Sequence, residues 1–428
     1  MGKRHQTFYD ATAAPAPERP ALRGVVETET CVVGGGLAGL STALDLAERG
    51  REVVLLEGER IGWGASGRNG GFVVAGYPAG NLTLIDTVGR PEARTLFDLS
   101  RMGQALVSER IERYRFPGVA KTMGGLRCAM RGQDAVLERQ RSVMAEVFDV
   151  DLELWSGERV RSVLATERYG GGLHNPNTFS VHPHNLSLGL AAAAERHGAR
   201  LFDGSPCRKL VTDGAVKRVV TARGEVRAKA VVVACGGYIG GLNWPLAAAT
   251  VPIATFVAVT EPLGPELDAA IATPYAISDL QMATNYYRRV AGDRLLWGGR
   301  VKAWEPGARS IGRALGRALA AFYPALRDAR FEYVWSGLMS YLRHHMPAVG
   351  LLRPDVWYAT GFGGLGLALT SMAGRLIASA IDEGDARWRH FERFGLPFAG
   401  GMLGRVPAQL LYWRAEMAGR LGQVTARE

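Results

Sequence analysis

The sequence predicts an α/β fold in two lobes, a largely parallel sheet with covering helices, interrupted by an α+β lobe built on an antiparallel sheet. Three observations predict it. "ETCVVGGGLAGLSTALDLAERGREVVLLEGE" reads as strand, glycine turn, amphipathic helix and strand, which is a βαβ unit. "VWYATGFGGLGLALTSMAGRLIASAIDEG" gives one more strand, glycine turn and helix far along the chain. Between residues 250 and 300, "TFVAVTEPL", "TNYYRRVAG" and "RLLWGGR" are spaced like antiparallel strands.

In chain order, the Pro/Ala-rich residues 11–24 read as an extended arm. The first helix shows Leu40, Ala43, Leu44 and Ala47 at helical spacing, with Gly50 where a C′ residue falls. Residues 90–165 are helical and charged, with "GGLRCAM" as a strand between two helices. The α/β pattern returns in the helix "NLSLGLAAAAERHG", short strands around "RLFDG", "RKLVTDG" and "VKRVVTARG", and the apolar strand "KAVVVACGG". After the β-rich stretch comes the helix "IGRALGRALAAFYPAL".

Composition bounds the function. At 428 residues the chain exceeds the usual single core, and 47% hydrophobic with 21% charged residues is globular. The formal net charge of +10 is mostly spread arginine without a basic nucleic-acid motif, so nucleic acid is not the expected partner. Cys31, Cys128, Cys207 and Cys235 lie far apart with no Cys-x-x-Cys pair, which argues against zinc or a disulfide scaffold and fits a reducing compartment. No apolar run reaches the roughly 18 residues of a spanning helix, and the N-terminus lacks an export-type apolar region, so cytoplasm is the expectation.

Gly34, Gly36 and Gly39 satisfy G-x-G-x-x-G between a strand and a helix, with Leu37 and Ala38 opening the helix. Gly34 permits the tight turn, Gly36 lets the backbone approach a pyrophosphate, and Gly39 allows close helix–strand packing. Glu57 closes the next strand, about 20 residues on, where a carboxylate accepts from both ribose hydroxyls of an adenosine. A second glycine loop follows at once, "RIGWGASGRNGG". An NAD site needs no such loop, whereas FAD must be cradled along its ribityl chain and ring, so FAD is the cofactor expected.

With "GWGASGRNGG", "VHPHNLSLGLAAAAERHGARLF", "NYYRRVAGDRLLWGG" and "YATGFGGLGLALTSMAGRLIASAI" in hand, the chain resembles the D-amino acid oxidase superfamily of FAD-dependent oxidoreductases over nearly its whole length, most of all the γ-glutamylputrescine oxidase branch. The resemblance implies a Rossmann-like FAD-binding domain of the glutathione-reductase type and a discontinuous substrate domain. The expected boundaries are an N-terminal arm at 1–27, the FAD-binding domain at 28–80, 170–245 and 336–390, the substrate domain at 81–169 and 246–335, and a C-terminal tail at 391–428. It implies cofactor roles for Trp63, Gly64, Ala65, Ser66, Gly67, Asn69, Gly70 and Gly71, for the Cys207 main chain at adenine, and for Ala234 and Gly236 near the pyrophosphate. Gly361, Gly363, Gly364, Leu365 and Gly366 end a strand and open a helix, so backbone N–H groups and the helix dipole can face the flavin pyrimidine.

Covalent relatives attach FAD through a Cys or an early-loop His. Here Gly64 stands at the His position and no Cys follows Cys235, so noncovalent FAD is expected. His344 and His345 replace an Asp-Arg pair that relatives often carry, and Leu296 falls where the sarcosine branch keeps an oxygen-activating Lys. The implied reaction is oxidation of an amine or amino-acid C–N bond by hydride transfer to flavin N5, the imine then hydrolysing. The acceptor is oxygen, or a quinone or partner protein reached through the amphipathic C-terminal "GGMLGRVPAQLLYWRAEMAGRLGQ", which leaves room for a peripheral membrane contact. An L-pipecolate- or proline-like imino acid is the alternative substrate.

Candidates to line the substrate site are Tyr286, Tyr287, Arg288, Trp244, Trp335, Tyr341, His344 and His345, each aromatic being equally readable as core. Strand alternation lets at most one of Tyr286 and Tyr287 touch substrate. Arg288 and Arg68 are candidates for a substrate carboxylate, or else solvated arginines. His182 reads either as a flavin-facing residue or as a turn residue bonded to backbone.

Overall fold

The computed structural model describes residues 6–281, 284–302, 304, 307–401, 403–407, 409–410 and 413–414. Much of the amphipathic C-terminal segment at 400–423, including 415–423, lies outside these residues. Two sheets build the molecule. The first runs in the order Ala348–Arg353, Val356–Thr360, Gly224–Val233, Gly24–Val33, Val53–Leu56 and Arg200–Phe202. Its inner pairs are parallel, Cys31 lying opposite both Val54 and Val231, while Ala348–Arg353 is antiparallel. Both faces are buried, which is why "CVV" and "AVVV" are unbroken apolar runs. Val32, Leu55 and Val232 face the helices Leu37–Glu48, Pro183–Arg196 and Gly366–Glu383, whereas Cys31, Val54 and Val231 face the opposite core.

The helix Leu37–Glu48 ends as its sequence requires. Arg49 is the C-cap, and Gly50 follows at φ 76, donating its N–H to the Ala47 carbonyl at 2.9 Å. Asp45 anchors this helix to two others, accepting from Arg110 and from Arg375, each at 2.5 Å, with its own side chain fully buried.

The second sheet runs Phe331–Tyr341, Val251–Thr260, Arg294–Lys302, Tyr286–Val290, Ala276–Asp279, Thr122–Met130, Tyr169–Ser180 and Phe72–Val73. It is antiparallel except where Ala276–Asp279 meets Thr122–Met130. One face carries Leu126, Cys128, Phe256, Ile277, Tyr287 and Trp297 into a core closed by Ile311, Leu315 and Leu319 of the helix Ala308–Phe322. The other face looks toward the first sheet.

The strand pairing cuts across the expected boundaries. Tyr169–Ser180 pairs with Thr122–Met130, and Phe331–Tyr341 pairs along its length with Val251–Thr260. Both strands therefore belong wholly to the second sheet, and the boundaries placed at 170 and 336 fall at or inside strands. The Phe72–Val73 segment, assigned with the first domain, also pairs into the second sheet.

The N-terminal arm is anchored. Thr7 and Asp10 form a capping box on the short helix Phe8–Ala11, and Phe8 and Tyr9 are buried against Val257, Val259, Leu296 and Trp335. From Thr12, a hydroxyl meets His182 Nε2 at 3.0 Å. His182 is the N-cap of Pro183–Arg196, its Nδ1 accepting the Asn185 N–H at 3.1 Å. Burial, aided by His184 and Arg288, pushes its pKa down from 6.5 to about 4. The folded protein therefore binds this proton more weakly than the unfolded chain, and stability is lost as pH falls from 6.5 toward 4. His182→Asn supplies a capping side-chain oxygen in place of the ring nitrogen and removes the titration. Urea unfolding across that window is expected to show a shallower acid loss in the variant than in the wild type.

Candidate active site

Where the sheets face each other, the structure encloses a cavity of about 1680 Å³, larger than the 300–1,000 Å³ of an ordinary small-ligand site. One end is made by the first βαβ turn. Gly34 stands at φ 115, and a Cβ there would lie 2.6 Å from the Ala234 carbonyl oxygen. Gly36, Leu37 and Ala38 line the cavity, while Gly39 lies behind it. A Cβ at Gly39 would sit 2.0 Å from the Gly34 oxygen, so its role is packing the helix on the turn. The helix Leu37–Glu48 has Gly36 as its N-cap residue, which offers no capping side chain, and no acid in its first turn, so its positive end can face an anion.

Glu57 lines the same end and accepts from the Gly35 N–H at 2.7 Å and the Glu59 N–H at 2.9 Å. Burial raises its pKa, against those two bonds. Cys207, Ala234 and Gly236 are also in the wall. The Cys207 thiol points to the Lys209 carbonyl, and burial pushes it up to about 11, so it stays a thiol.

The second glycine loop crosses the middle of the cavity. Trp63, Gly64, Ala65, Ser66, Arg68, Asn69 and Gly70 line it. Ser66 Oγ accepts the Leu37 N–H at 2.9 Å, joining this loop to the first turn. Asn69 holds the loop itself, donating to the Ala65 and Ser66 carbonyls and accepting from Gly71. Gly67 and Gly71 are not in the wall: a Cβ would lie 2.3 Å from the Gly62 oxygen in one case and 2.2 Å from the Val181 oxygen in the other. They let the loop fold tightly behind the surface it presents.

Gly363, Gly364, Leu365 and Gly366 line the far end, where the helix Gly366–Glu383 likewise begins without a capping side chain or an acid. Gly361 is set back, its N–H donated to Ser340 Oγ at 3.1 Å. Two helix N-termini without an acid in their first turns, a ribose-type carboxylate and glycine-lined walls fit a dinucleotide cofactor.

The second sheet supplies the opposite wall. Tyr286 lines the cavity; its ring lies against Gly70, where a Cβ would meet it at 2.8 Å, and its hydroxyl is 3.5 Å from Thr255 Oγ1. Burial pushes its phenol up to about 12. Tyr287 faces the other way, with its hydroxyl 2.8 Å from Tyr323 and 3.2 Å from Tyr169. Tyr341, His344 and His345 line the wall beside the last glycine turn, and Trp244 stands at the rim, 74% exposed. His345 adopts φ 56 at the turn tip, a strained conformation for a residue with a side chain. Burial lowers the His344 pKa, which favours the neutral ring.

Besides Tyr287, two candidates do not reach the cavity. Arg288 is buried, its Nε donating to the Gly70 carbonyl at 2.8 Å and a second nitrogen to the Val181 carbonyl at 2.8 Å. It staples the glycine loop to the helix that follows Val181, so it is not placed to clamp a substrate. Trp335 packs against Tyr9 and donates its indole N–H to the Arg68 carbonyl at 2.9 Å. Leu296 is fully buried among Trp335, Val257 and Val259 and does not line the cavity. Arg68 does line it, yet its Nε is donated to the Trp63 carbonyl at 2.8 Å.

Sequence reasoning misses Tyr238, Arg127, Asp279, Thr255 and Met339, all in the wall. Tyr238 has one signal, its place just after the glycines that end the "VVVACGG" strand. Among the described residues no helix is long and apolar enough to cross a membrane, and no group of three metal-type ligands occurs.

The fold and site define a flavin-type dinucleotide enzyme, and the chain belongs to the FAD-dependent oxidoreductase (DAO) family, whose model matches residues 29–380. It is 35% identical over 415 residues to gamma-glutamylputrescine oxidoreductase of Escherichia coli K12, covering 95% of this chain and 96% of that one. Probable oxidoreductase OrdL of Haemophilus influenzae is 31% identical over 392 residues, covering 89% of each. Among solved structures, glycine oxidase from Geobacillus kaustophilus superposes with a TM-score of 0.70 at 21% identity, covering 84% of this chain and 96% of its own. L-proline dehydrogenase from P. horikoshii gives 0.72 at 19%, covering 88% and 100%. The chain is thus an FAD-dependent enzyme that oxidises amines or amino acids.

Proposed function

We propose that the substrate is a primary amine carrying a carboxylate at a distance, of the γ-glutamylated kind in the name of the Escherichia coli relative, and that the acceptor is oxygen. The observation that carries this reading is the extent of that likeness, 35% identity along 95% of the chain. The site is compatible with it, since its cavity of about 1680 Å³ exceeds that of an ordinary small-ligand site. An imino acid such as proline would want an arginine clamp in a small closed pocket, and Arg288 is spent on backbone carbonyls.

When bound, FAD supplies the acceptor for the hydride that leaves the substrate carbon. The residues of this chain do the rest by position. Apolar and aromatic walls disfavour an ammonium by desolvation, so the neutral amine is the form presented. Tyr286, still protonated at neutral pH, lies with its ring against Gly70 of the loop and its hydroxyl beside Thr255. Water then cleaves the imine, and the balance is amine, oxygen and water to aldehyde, ammonia and hydrogen peroxide. Peroxide formed in step with aldehyde supports the assignment; turnover with a dye acceptor but none with oxygen would make the protein a dehydrogenase.

The attachment of FAD is noncovalent in this reading. A Cβ at Gly64 would already lie 2.9 Å from the Tyr238 ring, so the space a histidine needs is taken by that ring. Acid precipitation is expected to leave all FAD in the supernatant, and yellow colour in the pellet would contradict this. Four free cysteines, two of them fully buried, favour the cytoplasm as its compartment.

A further inference from the structure

The second glycine loop is held from outside the cavity by two of its carbonyls. Gly70 accepts from Arg288 Nε at 2.8 Å and Arg68 accepts from the Trp335 indole N–H at 2.9 Å, and neither donor lines the cavity. A loop so rich in glycine needs such holds, because glycine loses more conformational freedom on ordering than any other residue. Both donors rest on one residue remote in sequence. The Tyr9 ring packs edge-on against Trp335, with centroids 5.5 Å apart, and its hydroxyl accepts from Arg288 at 3.4 Å. Asp10, the next residue, pairs at 2.6 Å with Arg60, where the loop begins. One helical turn, Phe8–Ala11, therefore meets the loop at its start and, through two side chains, at the carbonyls near its end.

The turn is itself fixed on both flanks. Its capping box closes one end, and the arm beyond it donates the Ala14 N–H to Asn185 Oδ1 and the Leu22 N–H to Ser205 Oγ, each at 2.8 Å. Tyr286 packs against the cluster that buries Phe8 and Tyr9, so the same turn also backs the sheet wall where it meets Gly70. Among the described residues none before Val33 lines the cavity, and the arm can reach a bound cofactor only through the loop and that wall. We infer that Tyr9 is a positioning residue of the FAD site: through Trp335 and Arg288 it braces the glycine loop and fixes the surface that the loop offers the flavin. This assignment rests on the FAD site alone and is independent of which amine is oxidised.

The test compares full-length apoproteins titrated with FAD by fluorescence, followed by visible circular dichroism of each reconstituted protein, a band that reports the surroundings of the bound flavin. Tyr9→Leu keeps an apolar side chain but removes the ring contact and the acceptor for Arg288, and it is expected to weaken FAD roughly tenfold and to alter the visible band. Tyr9→Phe keeps the ring and loses only the hydroxyl, so a weakening of roughly threefold is expected. Leu315→Ala is the control for stability alone. It truncates the core on the far face of the second sheet, and is expected to lower the urea midpoint while FAD affinity and the visible band stay as in the wild type. Wild-type affinity and band in both Tyr9 variants would overturn the assignment, and so would a weakening in Leu315→Ala as large as that in Tyr9→Leu. If Tyr9→Leu does not fold, Tyr9→Phe decides on the same two readouts.

Discussion

Gly34→Ala is expected to weaken FAD binding by roughly 5- to 150-fold, taking about 1–3 kcal/mol for backbone strain at 1.4 kcal/mol per tenfold. Two independent penalties act at this position. The backbone is at φ 115, which side chains disfavour, and the new Cβ would lie 2.6 Å from the Ala234 carbonyl oxygen. That oxygen belongs to the end of a neighbouring strand and cannot swing aside like a flexible side chain. The strand ends must part, and with them goes the surface that receives the pyrophosphate. Gly50→Ala is the control, since it has φ 76 but no atom within 4 Å of its Cβ. It is expected to cost stability without changing FAD affinity. Fluorescence titration of the apoproteins with FAD reads both.

Arg288→Met is expected to destabilise the protein by about 3 kcal/mol and to loosen FAD as well. The substitution leaves the Gly70 and Val181 carbonyls buried without their charged donor, and it removes a contact with the Tyr9 hydroxyl. Gly70 is in the cavity wall, so the damage passes from the staple to the cofactor surface. Urea unfolding of wild type and variant measures the first effect, and flavin content after purification measures the second. A raised KM for the amine with unchanged stability would instead restore the carboxylate-binding role that the sequence suggests for this arginine.

The contrast between these residues shows what a sequence can carry. Gly34, Gly36 and Glu57 are legible because a pyrophosphate and a ribose demand backbone approach and a carboxylate at set intervals within one βαβ unit. The same holds for the Gly363–Gly366 turn. Arg288 reads in sequence as a carboxylate clamp because nothing in its own strand signals otherwise; that its guanidinium meets Gly70 and Val181 depends on chain brought from far away. Arg127 is silent in sequence for the same reason. Its neighbours across the sheet, Ser278 and Tyr286, are set by register between strands remote in sequence. The burial of Phe8 and Tyr9 has no local signal either, since an arm is read by its Pro/Ala composition and not by what it will lie on. The strand Phe331–Tyr341 runs unbroken through Ser336 and Gly337 because it pairs along its length with Val251–Thr260, chain remote in sequence, so a boundary read from the sequence passes through it.

The central claim is that this cavity joins FAD to a carboxylate-bearing amine. Anaerobic mixing of the FAD-loaded protein with γ-glutamylputrescine, followed by flavin absorbance, tests it without any assumption about the electron acceptor. Full bleaching of the oxidised flavin within the mixing experiment, with one aldehyde formed per flavin reduced, is the result predicted. An unchanged flavin spectrum at saturating amine, with bleaching by proline or pipecolate in its place, would contradict it.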